Sequence, residues 1–191
     1  MHIYVFYISP FNIANSFVSY IHICMNFDQA VHIILEDVID TSKPKLILVR
    51  GIPGSGKSTV AKRIKESNPD ISHYEADTYF VDDKGCYNFN PSLIKLAHNW
   101  CQNETKKDIE SGKSVIVSNT FSQIWEMQNY FDLGLKYNCD IQVYEMSHEP
   151  VLQGKQKNIH EVPDNTILKM IKRWEPLSDD IVKKYKITLV S

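Results

Sequence analysis

One short stretch constrains the fold more than any other: an apolar run that ends in a glycine-rich turn. Leu46-Ile47-Leu48-Val49 is continuous hydrophobic sequence, and Gly51-Ile52-Pro53-Gly54-Ser55-Gly56-Lys57-Ser58 follows directly after Arg50. Four branched aliphatic residues in a row suit a strand covered on both faces, as in a parallel sheet. The octapeptide matches G-x-x-x-x-G-K-[ST] at every fixed position, and a helix-compatible run from Ser58 to Lys65 follows it. Glycines let the backbone turn tightly and bring N–H groups close to an anion. A helix starting there aims its N-terminal amides and the positive end of its dipole at the same anion. Lys57 adds a mobile positive charge for β- and γ-phosphates. The Ser58 hydroxyl is a hard oxygen ligand suited to Mg²⁺. Gly51, Ile52, Pro53, Gly54, Ser55, Gly56, Lys57, Ser58 and Thr59 are therefore expected to hold a nucleoside triphosphate.

The rest of the pattern alternates strands with helices. Val115-Ile116-Val117 and Ile141-Gln142-Val143-Tyr144 repeat the buried-strand character, and Ser72–Ala76 and Ile187–Val190 are weaker strand candidates. Asn90 and Pro91 open a helix at its N-cap and first position. Its stripe is Leu93, Leu96, Ala97 and Trp100, and Gly112 follows its end. A second helix is expected over roughly 123–137. A third begins near Pro163-Asp164 with the stripe Ile167, Met170, Ile171 and Trp174. This alternation predicts an α/β domain with a mainly parallel sheet, covered on both faces.

Length and composition set the limits. A chain of 191 residues with 43% hydrophobic residues suits one domain with a sizeable core. The net charge of −2 excludes a grossly basic nucleic-acid binder but not a local basic groove. Four acids and no Lys or Arg precede Lys43, so residues 43–191 are mildly positive. Cys24, Cys86, Cys101 and Cys139 form no C-x-x-C pair, which predicts reduced, mostly buried thiols in a cytoplasmic protein. Residues 1–27 carry no Asp, Glu, Lys or Arg, and lack the positive start of a signal peptide. Pro10, Asn12, Asn15, Ser16 and Ser19 interrupt them, so no stable membrane association is expected. A helix over roughly 29–39 is expected before the break at Thr41–Pro44. The domain boundary falls there, with 1–42 an N-terminal extension and 43–191 the domain. The extension reads as a packed appendage, a weak anchor, or sequence upstream of a native start at Met25.

Four segments beyond the loop carry a family resemblance. They are Glu75-Ala76-Asp77-Thr78-Tyr79-Phe80; Tyr87-Asn88-Phe89-Asn90-Pro91; Ser118-Asn119-Thr120-Phe121 with Trp125-Glu126-Met127; and Asn158-Ile159-His160 before Val162-Pro163. Together with the loop they make the chain similar to polynucleotide-kinase-like and zeta-toxin-like P-loop kinases of the AAA-family ATPase group, over about residues 45–175. The resemblance implies a P-loop NTPase three-layer sandwich, with a five-stranded parallel sheet of order 2-3-1-4-5 and a small helical lid. It also implies an ATP-dependent kinase. Mg·ATP would sit in the loop, and Asp77 would accept the proton of an acceptor hydroxyl. Lys57 and the lid residue Lys157 would meet the charge of the moving phosphoryl group. Ser58 and Asp77 would hold Mg²⁺, Asp77 through a water.

Two departures from the family pattern keep a second reading open. Related proteins often end the third strand with an Asp that helps hold magnesium, and Ser118 stands there. They usually carry arginines in the lid, where Gln153–Val162 offers Lys155 and Lys157 and the next arginine is Arg173. Lysine lacks the planar bidentate fork. The alternative is thus a nucleotide-binding regulatory module or weak ATPase with little phosphotransfer. Arg173 is expected to reach the adenine or phosphates, or to be a surface cation. Asn119 and Thr120 read equally as polar contacts to the acceptor or γ-phosphate and as turn residues bonded to backbone. Trp100, Trp125 and Trp174 are expected in the core. Tyr79, Phe80, Tyr87 and Phe89 surround the turn at Asp82–Gly85, as a platform for a base or as a turn packed on its own flanks. Phe80 replaces the arginine with which 5′-polynucleotide kinases grip a phosphate. The acceptor stays open between a nucleic-acid end, a nucleoside and a sugar, and the oligomeric state is open too.

Overall fold

The strand that leads into the glycine-rich turn forms the middle of the sheet. The computed structural model describes residues 43–154 and 162–190. The extension 1–42, with its expected helix, and the lid residues Lys155, Lys157 and His160 lie outside the described residues. Strand β1 (Lys45–Arg50) is flanked by β3 (Val115–Asn119) and β4 (Asp140–Glu145). Outside these lie β2 (Ser72–Tyr74) and β5 (Thr188–Val190). The order is β2-β3-β1-β4-β5, and every pairing is parallel, as the resemblance implies.

Alternation along the strands divides the core in two. Leu46 and Leu48 project to one face with Val115, Val117, Ile141 and Val143. Ile47 and Val49 project to the other with Ile116 and Tyr144. Helix α1 (Lys57–Ser67) covers the second face with Val60, Ala61 and Ile64. Helices α2 (Ile94–Glu110), α3 (Trp125–Lys136) and α6 (Asp179–Tyr185) supply Cys101, Ile109, Met127, Phe131 and Tyr185 to the first. The result is three layers, helix on sheet on helix. The short α4 (Glu149–Leu152) and α5 (Asp164–Lys172) flank the lid segment. Among the described residues no helix is long and apolar enough to cross a membrane.

Local details differ from the sequence expectation. The helix at Asn90-Pro91 opens as a 3-10 turn, Pro91–Leu93, in which Asn90 Oδ1 accepts from the Ser92 amide at 3.0 Å. The face of α2 that turns inward is Ala97, Cys101, Thr105 and Ile109, and Leu96 is half exposed. Trp125 is 68% exposed rather than core. It begins α3, whose inward stripe is Met127, Tyr130, Phe131 and Gly134, one position out of phase with it. Of the thiols, Cys101 is buried but Cys86 lies exposed in the Asp82–Gly85 turn region. Helix α6 was not foreseen, because its seven residues carry only two turns of periodicity; Ser178 caps it by accepting from the Ile181 amide.

Arg50 binds the C-terminal part of the domain to the central strand. Its side chain is fully buried. Its guanidinium donates to the Phe121 carbonyl (3.1 and 2.8 Å), the Glu175 carbonyl (2.9 Å) and Glu145 Oε2 (3.3 Å). The Trp174 ring covers it at 4.1 Å, and Trp174 Nε1 donates to Glu145 Oε1 at 3.2 Å. Glu175 in turn accepts from the Ile124 amide at 2.8 Å, at the start of α3. Removing the guanidinium leaves buried acceptors without donors. Arg50→Ala is expected to lower the unfolding free energy by about 3 kcal/mol, read by urea denaturation. Lys62→Ala, on the exposed side of α1, is expected to change it by no more than about 0.5 kcal/mol.

Candidate active site

Between β1 and α1 the backbone passes through a space that only glycine fits. A Cβ on Gly51 would lie 2.4 Å from Ser55 Oγ and 2.8 Å from Met146 Cβ. Gly54 and Gly56 have φ of 83° and 91°, the left-handed region. The Gly51 amide donates to the Thr120 carbonyl at 3.2 Å, which ties the loop to the end of β3. The Ser55 amide donates to the Ile52 carbonyl at 3.1 Å. Among the described residues the amides of Gly54, Gly56, Lys57 and Ser58 have no backbone acceptor. They are the orphan donors of a helix start, at the positive end of the α1 dipole. Lys57 Nζ folds back and donates to the Ile52 carbonyl at 3.1 Å. Ser55 Oγ is buried and has no partner among the described residues. A buried unpaired hydroxyl, four unpaired amides and an ammonium in one turn fit a polyphosphate.

The charge of Lys57 is held at a cost. Burial pulls its pKa down to about 8, against the carboxylates of Glu75 and Asp77, which raise it. Both acids come from the segment after β2. Asp77 lies in the 3-10 turn Ala76–Phe80, and its Oδ1 accepts from the Tyr87 hydroxyl at 3.2 Å. Burial and the Asp77 charge push the Tyr87 phenol up to about 12. The Ala76 amide donates to Asn119 Oδ1 at 2.9 Å, so the buried Asn119 side chain fixes the backbone that carries Asp77. Asn119 and the Thr120 carbonyl thus brace the Asp77 turn and the loop.

The sequence pattern assigns Glu75 no role beyond its place in the Glu75–Phe80 segment. In the structure Ser118 Oγ donates to Glu75 Oε1 at 2.6 Å. His73 Nε2 lies 3.1 Å from the same oxygen and 2.8 Å from Ser118 Oγ. Burial raises the Glu75 carboxyl, but hydrogen bonds from His73, Ser118 and Ser58 outweigh it and hold the pKa at about 2. The spacing Glu75-Ala76-Asp77 was the available signal: two acids two residues apart just past a strand.

The sequence model of the AAA domain family matches residues 46–177. The chain belongs to that family. The human NEDD4-binding protein 2 is 34% identical over 134 residues, covering 68% of this chain and 8% of that protein. The chain therefore spans less than a tenth of that relative's length. Kti12 from Chaetomium thermophilum, solved with ADP-AlF3, is similar in structure with TM-score 0.54 and 14% identity, over 76% of this chain and 88% of that one. A sugar kinase from Janibacter sp. has TM-score 0.53 and 14% identity, over 77% of this chain and 84% of that one. The fold of this AAA domain is the α/β fold of P-loop kinases.

Within the AAA domain the remaining expected residues lie as follows. Thr59 is exposed in the first turn of α1, its amide on the Gly56 carbonyl. Arg173 Nε donates to Ser122 Oγ at 2.8 Å, and its Nη2 is 3.9 Å from Glu126 Oε1, so its partners belong to the β3–α3 connection. An open groove of about 520 Å³ runs along α2 between Tyr79, Leu96, Trp100 and Lys107, and contains none of the loop residues.

Lys57 links this site to stability. Its folded pKa of about 8 is below its ordinary 10.5, so the unfolded chain binds the proton more tightly. The penalty is full below pH 8 and fades as the pH rises toward 10.5. Without nucleotide, Lys57→Met is expected to stabilise the domain by about 1–3 kcal/mol at pH 7. Urea denaturation should show that gain shrinking at pH 10.5.

Proposed function

We propose that this AAA domain binds Mg·ATP in Gly51–Thr59 and transfers the γ-phosphoryl group to a hydroxyl acceptor. The observation that carries this reading is the turn itself, where amides without backbone acceptors start a helix beside the Lys57 ammonium, which feels the charges of Glu75 and Asp77. A protein of the same fold was solved with ADP-AlF3, which supports a nucleotide in this loop.

The amides of Gly54, Gly56, Lys57 and Ser58 would hold the phosphates, and Lys57 would exchange the Ile52 carbonyl for phosphate oxygens. The Ser58 hydroxyl is the oxygen ligand offered to Mg²⁺, and the sequence reading adds Asp77 through water. When bound, Mg²⁺ would supply positive charge that offsets the negative charge of the phosphates during transfer. Asp77 would take the proton of the acceptor hydroxyl while that oxygen bonds to phosphorus and ADP departs. The Tyr87 hydroxyl supports this role, because it shows that a hydroxyl can reach Asp77 Oδ1. Lys157 and Arg173 remain proposed cations on the nucleotide side. The acceptor classes are a nucleic-acid end, a nucleoside and a sugar. A second reading, a nucleotide-binding module or weak ATPase, is favoured by the same bond, since Tyr87 occupies the base. The free thiols suit a reducing, cytoplasmic setting.

Titration calorimetry with Mg·ATP, alongside transfer of labelled γ-phosphate to oligonucleotides, nucleosides and sugars, tests the proposal. The parent protein should bind and transfer. Asp77→Asn should keep its affinity and lose about 10²–10⁴-fold in transfer, and Lys57→Ala should lose both. An Asp77→Asn protein that transfers at the parent rate refutes the base. Binding without transfer to any acceptor selects the module.

A further inference from the structure

We infer that Glu75 is the carboxylate that positions magnesium beside Ser58, which leaves Asp77 to the acceptor. The inference rests on the proposed nucleotide site and assigns its metal side.

In P-loop sites the magnesium is held by the loop hydroxyl together with a carboxylate. Here β3 ends in Ser118-Asn119, neither of which is an acid. The parallel register of β2 on β3 pairs His73 with Ile116 and Tyr74 with Val117. One step further along that register brings Glu75 beside Ser118, and their side chains meet at 2.6 Å. The carboxylate therefore reaches the end of β3 from the neighbouring strand. The Ser118 hydroxyl and His73 both engage Oε1, and the Ala76 amide is fixed on Asn119. The backbone after Glu75 and the carboxylate itself are thus both tied down. In the neighbouring pairing Ser118 lies opposite Val49, so this carboxylate is held at the strand ends from which the loop carrying Ser58 springs.

The ion-pair alternative is weaker, because Lys57 Nζ is turned onto the Ile52 carbonyl. Mg²⁺ keeps several of its waters and favours one or two carboxylates close by, which suits a carboxylate held next to a hydroxyl rather than a closed cage. Glu75 is a positioning residue in this scheme: it orients the hydrated ion, and the phosphates meet the ion and the loop.

The test is calorimetric binding of ATP to the full chain, once with Mg²⁺ and once with EDTA. The parent should bind more tightly with Mg²⁺. Glu75→Gln should keep the EDTA affinity and lose about 10–100-fold of the magnesium-dependent gain. Glu66→Gln, on the exposed side of α1, should keep that gain. In Glu75→Gln/Ser118→Asp the carboxylate returns to β3, and part of the gain should return with it. If Glu75→Gln fails to fold, Glu75→Asp, which withdraws the charge by one methylene, carries the same comparison. A folded Glu75 variant with the full magnesium gain overturns the assignment while leaving the nucleotide site intact. A parent protein that binds no ATP in either buffer refutes the nucleotide site itself.

Discussion

Four backbone amides without backbone acceptors among the described residues, beside a half-buried lysine ammonium folded onto the Ile52 carbonyl, sit at the tip of the central strand. The rest of the domain holds that arrangement open. The cradle is costly in the free protein, because Lys57 is partly desolvated. It persists because both sides are fixed. β1 is buried between β3 and β4, and α1 packs Val60, Ala61 and Ile64 against the sheet. Gly51 is pinned to Thr120 and crowded by Ser55 and Met146.

A second theme is how the ends of three strands are stitched together. Asn119 at the end of β3 bonds the turn after β2, and Ser118 bonds Glu75. Arg50 at the end of β1 gathers Phe121, Glu145, Trp174 and Glu175. Asp77, Glu75 and the segment following α5 are thus all referred to the strand ends from which the loop springs. Ligand sites in open parallel sheets form at such carboxyl ends.

The loop and the central strands were legible in the sequence because their signals are local: a continuous apolar run, fixed glycine spacing and a lysine followed by a hydroxyl residue. The segment that carries Asp77 was legible as one just past a strand. The contacts of Glu75 were not, because they depend on Ser118, 43 residues away, and on the β2–β3 register. The burial of Arg50 was equally hidden, since a charged residue at a strand end reads as exposed until Trp174 covers it. Trp125 went the other way: its size suggested core, but its phase on α3 puts it outside the inward stripe.

The most direct test of the cradle is amide NMR of isotopically labelled protein titrated with ATP and magnesium. The account predicts that the largest shifts fall on the amides of Gly54, Gly56, Lys57 and Ser58, which gain phosphate acceptors, with a smaller response at Gly51, already bonded to Thr120. Saturating ATP that leaves these four resonances in place, or that moves a different surface instead, contradicts it.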